Sequence, residues 1–218
     1  MKIALINGSP KQSHSTSGTL LADLLHSITG ITDVSDSDKP EIAEYSFNQT
    51  SVSENELAEL QNADALVFAY PLYVDGIPGH LLSCLTQLEA ADWQNRKIHV
   101  YAIVNCGFYE GIQAEPALHI LQNWCVKAGL IWSGGIGVGG GGAIQQLPTT
   151  ENGHGPKAPV SKAICAMADA VCAGRIQENR YVSIAFPRFL YKMAAQMGWR
   201  MTIKANGGTT KDLGKQHL

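Results

Sequence analysis

The sequence predicts an α/β fold built as a three-layer sandwich: a five-stranded parallel sheet, in the strand order 2-1-3-4-5, with helices on both faces. Three observations lead to this fold class. Short apolar runs alternate with longer segments of helical periodicity along most of the chain. Several of these runs carry almost no charge, as strands covered on both faces require. The 218 residues are enough for one core of this size with an appendage.

The first strand and the first helix are the most clearly marked elements. Lys2 to Asn7 is a short apolar run that ends in Gly-Ser-Pro, as a buried strand that delivers a loop should end. Leucines at helical spacing follow between residues 20 and 25. Ser15 or one of the two hydroxyl residues after it can cap the start of this helix, and Gly30 can end it.

The same two patterns assign the other elements as far as residue 174. Apolar runs predict four more strands, at residues 41–47, 63–70, 98–104 and 130–138. Apolar residues three and four apart predict four more helices, at residues 54–62, 79–91, 116–128 and 160–173. Because a helix lies between each strand and the next, consecutive strands are expected to be parallel.

The end of the chain differs in charge from the rest, and we therefore predict two parts, residues 1–174 and a basic amphipathic extension over residues 175–218. The extension holds eight of the 16 Lys and Arg residues but only two of the 19 Asp and Glu residues, so it carries +6 against −9 for the first part. A helix is expected from Pro187 onward. Such a segment suits a second subunit, a membrane surface or an anionic ligand, and a solvated tail is the common alternative.

Composition excludes several classes of protein. The five cysteines form no CxxC pair and the seven histidines show no ligand spacing, so we expect neither a disulfide framework nor a metal ion. The apolar run at the N-terminus is too short for a signal peptide, and the uncharged stretch over residues 128–150 is rich in glycine and interrupted by polar residues. We expect a cytoplasmic protein without stable membrane insertion and without a nucleic-acid partner.

Loops that follow strands 1, 3 and 4 are the candidate functional site, because the carboxyl ends of parallel strands lie at one edge of the sheet. The loop over residues 8–18 is rich in hydroxyl groups and leads into a helix N-terminus. Its free N–H groups, its hydroxyls and Lys11 favour a phosphate monoester. It has neither the Walker spacing nor GxGxxG, and an ordinary Ser-rich turn that caps a helix is the alternative.

The other two loops are suited to a flat ring. In residues 70–79, two prolines fix the backbone and present residues 72–74 on a rigid edge, although Tyr73 could equally be a surface aromatic. Residues 105–111 offer backbone donors and a path of small residues, and an ordinary Gly-containing loop is the alternative.

Two further features are weaker candidates. Cys106 has no Lys, Arg or His beside it in sequence, so a packing role is favoured over redox chemistry. The glycine-rich stretch over residues 134–142 is interpreted as a flexible loop over a neighbouring pocket rather than as a phosphate-binding loop.

Two motifs, GSPK..S.S...LL after the first strand and PLYVDGIPG after the third, resemble those of the flavodoxin-like NAD(P)H-dependent FMN reductases and quinone reductases. The resemblance covers roughly residues 1–174. It implies the flavodoxin-like form of the sandwich, bound FMN, NADPH or NADH as reductant, a homodimer, and transfer of two electrons to a small-molecule acceptor: a quinone, a nitro or azo compound, or free flavin. The flavin carries the chemistry in such proteins, so no catalytic side chain is named.

The resemblance also implies which residues contact FMN. The phosphate would be held by Ser9, Lys11, Ser15, Thr16 and Ser17. The isoalloxazine would be lined by Pro71, Leu72, Tyr73, Val74 and Asp75. The ring site would be completed by Asn105, Gly107 and Tyr109.

Two other functions stay open at this point. An electron-transfer protein of the flavodoxin type, without nicotinamide activity, would share the fold, although such carriers are usually shorter and strongly acidic. A non-catalytic binding module is the third possibility, and the basic, aromatic end of the chain is the feature that suggests it.

Overall fold

The structure, a computed structural model, describes residues 1–31, 39–93, 97–144 and 154–215. It divides into two units, residues 1–184 and residues 185–218. The sequence suggested a division after residue 174. The difference arises because a short strand near residue 180 pairs with the sheet of the first unit.

One parallel sheet forms the centre of the first unit. Its strands are β1 (Lys2–Asn7), β2 (Glu41–Ser46), β3 (Ala65–Pro71), β4 (His99–Asn105), β5 (Ile131–Val138) and β6 (Arg180–Val182). The strand order is β2-β1-β3-β4-β5-β6. The prediction of an α/β fold with the order 2-1-3-4-5 is confirmed, and the predicted number of five strands is corrected to six. Residues 180–186 could be predicted as a short extended piece, but with only three residues β6 is too short for the sequence to assign it to the sheet.

The helices of the first unit alternate with the strands. They are α1 (Thr16–Thr29), α2 (Glu54–Gln61), α3 (Gly79–Glu89), α4 (Glu115–Ala128), the single turn α5 (Gly141–Ile144) and α6 (Ala158–Cys172). Helices α1 and α6 pack against each other on one face of the sheet. On the other face, leucines of α2, α3 and α4 pack on β1, β3 and β4 in the main hydrophobic core.

Local sequence explains where these elements begin and end. Residues 65–70 of β3 are fully buried, which fits an uncharged run covered by helices on both faces. Ser15 caps α1, since its Oγ accepts a hydrogen bond of 3.0 Å from the N–H of Gly18. Helix α4 ends at Gly129, whose left-handed backbone (φ 73°) is accessible to glycine at low cost.

The second unit consists of helix α7 (Arg188–Ala205) and a 3-10 turn (Thr210–Gly214). The turn begins with a capping box in which Thr209 and Asp212 exchange side-chain and backbone hydrogen bonds. No helix among the described residues is long and apolar enough to cross a membrane.

Candidate functional site

A cavity of about 190 Å³ lies at the carboxyl edge of the sheet, where the loops after β1, β3, β4 and β5 meet. Its lining consists of Ser9, Lys11, Ser15, Thr16, Ser17, Pro71, Leu72, Tyr73, Asn105, Cys106, Gly107, Gly141 and Gly142. A larger cavity of about 390 Å³, beside Met1 and Cys172, lies at the opposite edge. Because ligands of open parallel sheets bind beyond the carboxyl ends of the strands, the smaller cavity is the candidate site.

The loop after β1 is organised around the side chain of Asn7. Asn7 Oδ1 accepts a hydrogen bond from the N–H of Ser9 (3.1 Å), and Asn7 Nδ2 donates to Ser15 Oγ (3.4 Å). Ser9 Oγ in turn accepts from the N–H of Lys11 (3.3 Å). Ser15 Oγ also accepts from Gly18, so both of its acceptor positions are occupied and its hydroxyl hydrogen is available to the cavity.

The next two hydroxyl groups bind the end of β4 and the start of α5. Ser17 Oγ donates to Asn105 Oδ1 over 2.8 Å, and both side chains are buried. Thr16 Oγ1 donates to the carbonyl of Gly141 over 3.1 Å. The Ser17 bond orients the Asn105 amide, whose Nδ2 hydrogens are then the donors that this side chain can offer to a ligand.

A two-residue hairpin forms the tip of the loop after β3. Tyr73 and Gly76 exchange backbone hydrogen bonds of 3.2 and 3.0 Å across it. Between them, Val74 (φ 49°) and Asp75 (φ 57°) both adopt left-handed backbone conformations, as in a type I′ turn. Residues 71–73 line the cavity, whereas Val74 and Asp75 are not part of its lining because the turn extends beyond the strand edge.

Cys106 is the first residue of the loop after β4 and lines the cavity. Its thiol lies 3.7 Å from the carbonyl oxygen of Phe108 and 3.6 Å from that of Glu110. Burial raises the pKa of the Cys106 thiol, which keeps it protonated as a donor to these carbonyls. Gly107 lines the cavity, and Tyr109 is not among the lining residues.

The loop after β5 is the part of the site that the sequence analysis did not identify. Its successive N–H groups donate to neighbouring segments: Gly139 to Val182 (2.8 Å), Gly140 to Phe108 (2.6 Å) and Gly141 to Cys106 (2.8 Å). A Cβ at position 139 would collide with the carbonyl of Tyr109, so glycine is required there. The loop is therefore held in place at the cavity, whereas the sequence suggested a flexible loop over a neighbouring pocket. The sequence signal that could have placed this loop at the site is the run of four consecutive glycines at residues 139–142. Such a run allows the backbone to approach a neighbouring loop closely, here the loop after β4.

No group of three or more His, Cys, Asp or Glu side chains in the described parts of the chain is arranged to hold a metal ion. The lining itself contains one charged residue, Lys11. The electrostatic character of the cavity is therefore set by one ammonium group and by neutral donors.

Residues 1–83 match a family model described as a flavodoxin-like fold. The chain has a flavodoxin-like fold. The resemblance to flavodoxin-like proteins that the two motifs indicated is thereby confirmed. No curated protein sequence matches the chain.

Solved structures extend this flavodoxin-like assignment beyond residue 83. A WrbA-like flavodoxin from Agrobacterium tumefaciens is 11% identical with a TM-score of 0.53, over 79% of this chain and 95% of that one. A flavone reductase is 9% identical with a TM-score of 0.60, over 83% of this chain and 66% of that one. A flavodoxin from Streptococcus pneumonia TIGR4 is 10% identical with a TM-score of 0.55, over 80% of this chain and 99% of that one. At these identities the similarity concerns the fold.

Proposed function

We propose that the protein is a flavin-dependent oxidoreductase that binds FMN in the carboxyl-edge cavity and uses NADPH or NADH to reduce a small-molecule acceptor. The observation that carries the proposal is the convergence of the Ser-rich loop, the hairpin loop and two glycine-containing loops on one cavity. The flavodoxin-like fold supports it, because ligands of this fold bind at the same edge.

The residues present fit the phosphate of FMN. Lys11 supplies a cation, Ser15 has a hydroxyl hydrogen to donate, and the first turn of α1 contains no acidic residue. A helix N-terminus with free N–H groups favours an anion. Ser17 is expected to act indirectly, since its own hydrogen is donated to Asn105.

The opposite part of the cavity fits the isoalloxazine ring. Pro71 and Leu72 offer an apolar edge, and Asn105 offers amide hydrogens to the polar side of a ring. A Cβ built at Gly107 or Gly142 would point into open space, so the ring can approach the backbone at both positions.

FMN, when bound, supplies the redox chemistry: it takes a hydride from a reduced nicotinamide and passes two electrons on. With a quinone as acceptor the overall reaction is NAD(P)H + H⁺ + quinone → NAD(P)⁺ + hydroquinone. The described lining contains no Asp, Glu or His, so the proton is expected to come from solvent. The residues of this chain are expected to bind FMN and to orient its ring.

The proposal includes a homodimer in the cytoplasm. Leu82 of α3 and Ile120 of α4 are exposed apolar side chains on helices that cover the same face of the sheet. Exposed apolar side chains on one surface suit contact with a second copy of the chain. The five cysteines are free thiols, as is usual in a reducing compartment.

The test is to titrate the purified protein with FMN, record its visible spectrum, and add NADPH or NADH without oxygen. The expected result is bound FMN whose absorption bleaches with a reduced nicotinamide. Bound FMN that does not bleach would favour the alternative, an electron carrier without nicotinamide activity. Absence of FMN binding would contradict both functions.

A further inference from the structure

Helix α7 exposes large apolar side chains to its surroundings. None of its residues is buried, whereas each helix of the first unit buries at least one apolar side chain. Met193, Met197 and Met201 are each 62–66% exposed. A set of large apolar side chains that are exposed together marks an interaction site on a protein surface.

The exposed apolar residues of α7 form a stripe. Five of them recur at intervals of three and four positions and therefore share one side of the helix. They are Leu190, Met193, Ala194, Met197 and Met201, here called the methionine stripe. By the same spacing, the opposite side of α7 carries Arg188, Lys192 and Trp199. Because methionine is unbranched and flexible, the stripe suits a partner that has no fixed shape.

The charges on α7 all have one sign. The helix contains no Asp or Glu, and its four cationic residues are Arg188, Lys192, Arg200 and Lys204. Arg200 and Lys204 each follow a methionine of the stripe by three positions, so they border the stripe near its C-terminal end. The stems of such side chains lie along apolar surface while their charged ends extend to polar groups. The surface that complements α7 is therefore apolar inside and anionic outside.

We propose that α7 binds reversibly to the surface of an anionic lipid membrane, with the methionine stripe between the headgroups and its cations on lipid phosphates. Basic amphipathic helices bind in this way, in the plane of the interface. The lipid surface is favoured over a second copy of this chain because it presents negative charge around the whole helix, whereas a protein would need an acid opposite each cation. The inference goes beyond the proposed function and does not depend on it.

The proposal concerns contact with one face of the membrane. No helix in the described residues is long and apolar enough to cross it. The contact is expected to be reversible, because a single amphipathic helix is a weaker anchor than a spanning helix.

The test measures how much of the complete 218-residue chain sediments with lipid vesicles. One set of vesicles contains equal parts of phosphatidylglycerol and phosphatidylcholine, and the other contains phosphatidylcholine alone. The chain should bind the anionic vesicles about tenfold or more tightly than the neutral ones. Raising the salt concentration from about 0.1 M to about 0.5 M should weaken this binding about tenfold, since exposed charges are screened.

Three variants locate the contact on α7. Met193→Gln combined with Met197→Gln removes apolar surface from the stripe and lowers partition into anionic vesicles about twentyfold or more. Met and Gln have similar helix propensities, so this loss does not come from unfolding of α7. Arg200→Gln combined with Lys204→Gln lowers the partition about twentyfold. Ala195→Gln, the matched control, places the same side chain on α7 outside the stripe and leaves the partition unchanged.

Three results would overturn the proposal. The first is equal binding to both kinds of vesicle, or binding to neither. The second is anionic binding that the double methionine variant does not change, because the contact then lies elsewhere in the chain. The third is a smaller oligomer of that variant in sedimentation without lipid, because a second copy then covers the stripe. Vesicle binding is measured without FMN or nicotinamide, so failure of the proposed function is a separate result, seen as absence of FMN binding.

Discussion

Two buried serines, at opposite edges of the same sheet, form similar hydrogen bonds with different consequences. Ser17 in α1 donates to Asn105 at the carboxyl edge over 2.8 Å, and the amide that it orients lines the cavity. Ser133 in β5 lies towards the amino edge, where its Oγ forms hydrogen bonds with the carbonyl oxygen of Ile131 over 3.2 Å and with the Nδ1 of His99 over 2.8 Å. The first pair leaves donors for a ligand, whereas the second is satisfied within the protein.

Hydrogen bonds at the two edges of the sheet thus serve different ends, ligand binding at the carboxyl edge and folding stability towards the amino edge. A buried hydroxyl must find partners, and each of these serines does. Towards the amino edge the partners of Ser133 are Ile131 of the same strand and His99 of β4, so the bonds only stabilise the sheet. At the carboxyl edge Ser17 begins α1 and Asn105 ends β4, and both line the cavity, so the same kind of bond shapes the cavity. Substitutions at Ser15, Ser17, Ser133 and His99 test whether binding and stability are separated in this way.

Ser15→Ala is expected to have the largest effect, because Ser15 both caps α1 and has a hydroxyl hydrogen facing the proposed phosphate site. Loss of the cap costs about 1 kcal/mol of folding stability. Loss of a donor to a phosphate lowers FMN affinity by about tenfold or more. Chemical denaturation and FMN titration measure the two effects. Ser15→Thr is the matched control, and it should keep most of the FMN affinity.

Ser17→Ala is expected to release the Asn105 amide. Because Ser17 acts through Asn105, FMN affinity should fall by about fivefold, from loss of orientation rather than of a direct contact. Asn105→Ala should weaken binding at least as much, and the double variant should add little to it. Additive losses would show that the two side chains act separately.

Ser133→Ala is expected to affect stability alone. Removal of the hydroxyl leaves His99 Nδ1 without this partner and costs about 1 kcal/mol, measured by denaturation. The Kd for FMN should equal that of the wild-type protein. A change in FMN affinity would break the proposed separation between the two edges.

His99 is expected to give the smallest effect, a dependence of stability on pH. Burial lowers the pKa of His99 below its usual value of 6.5. The unfolded chain then takes up this proton at a higher pH than the folded chain does, so the contribution is complete above pH 6.5 and declines as the pH falls below it. Scans of Tm between pH 7.5 and 5.5 should be flatter for His99→Gln than for the wild-type protein.

The sequence predicted most of the fold because its strong signals are local. Each of the five predicted strands ends within two residues of the observed one, since uncharged runs such as that of β3 reflect burial on both faces. Residues 180–186 have the pattern of a short extended segment, but a strand of three residues has no period that would assign it to the sheet. Its pairing with β5 depends on contacts between residues far apart in the chain.

The candidate site was predicted in part for a similar reason. Hydroxyl-rich and Pro-containing loops have recognisable residues, and the three loops so identified do meet at one cavity. The loop over residues 139–142 has no side chains that indicate its place, and its position follows from hydrogen bonds to Phe108 and Val182. The hydrogen bond between Ser17 and Asn105 depends on packing of α1 against the end of β4, which no local sequence pattern indicates. The FMN contacts of the individual residues stay predictions.

The separation of binding from stability is tested by the Kd for FMN of the wild-type, Ser17→Ala and Ser133→Ala proteins, determined side by side at a temperature where all three are folded. We expect tight binding by the wild-type protein, about fivefold weaker binding by Ser17→Ala, and binding equal to that of the wild-type protein by Ser133→Ala. Equal affinities in all three, or no binding by the wild-type protein, would contradict this separation.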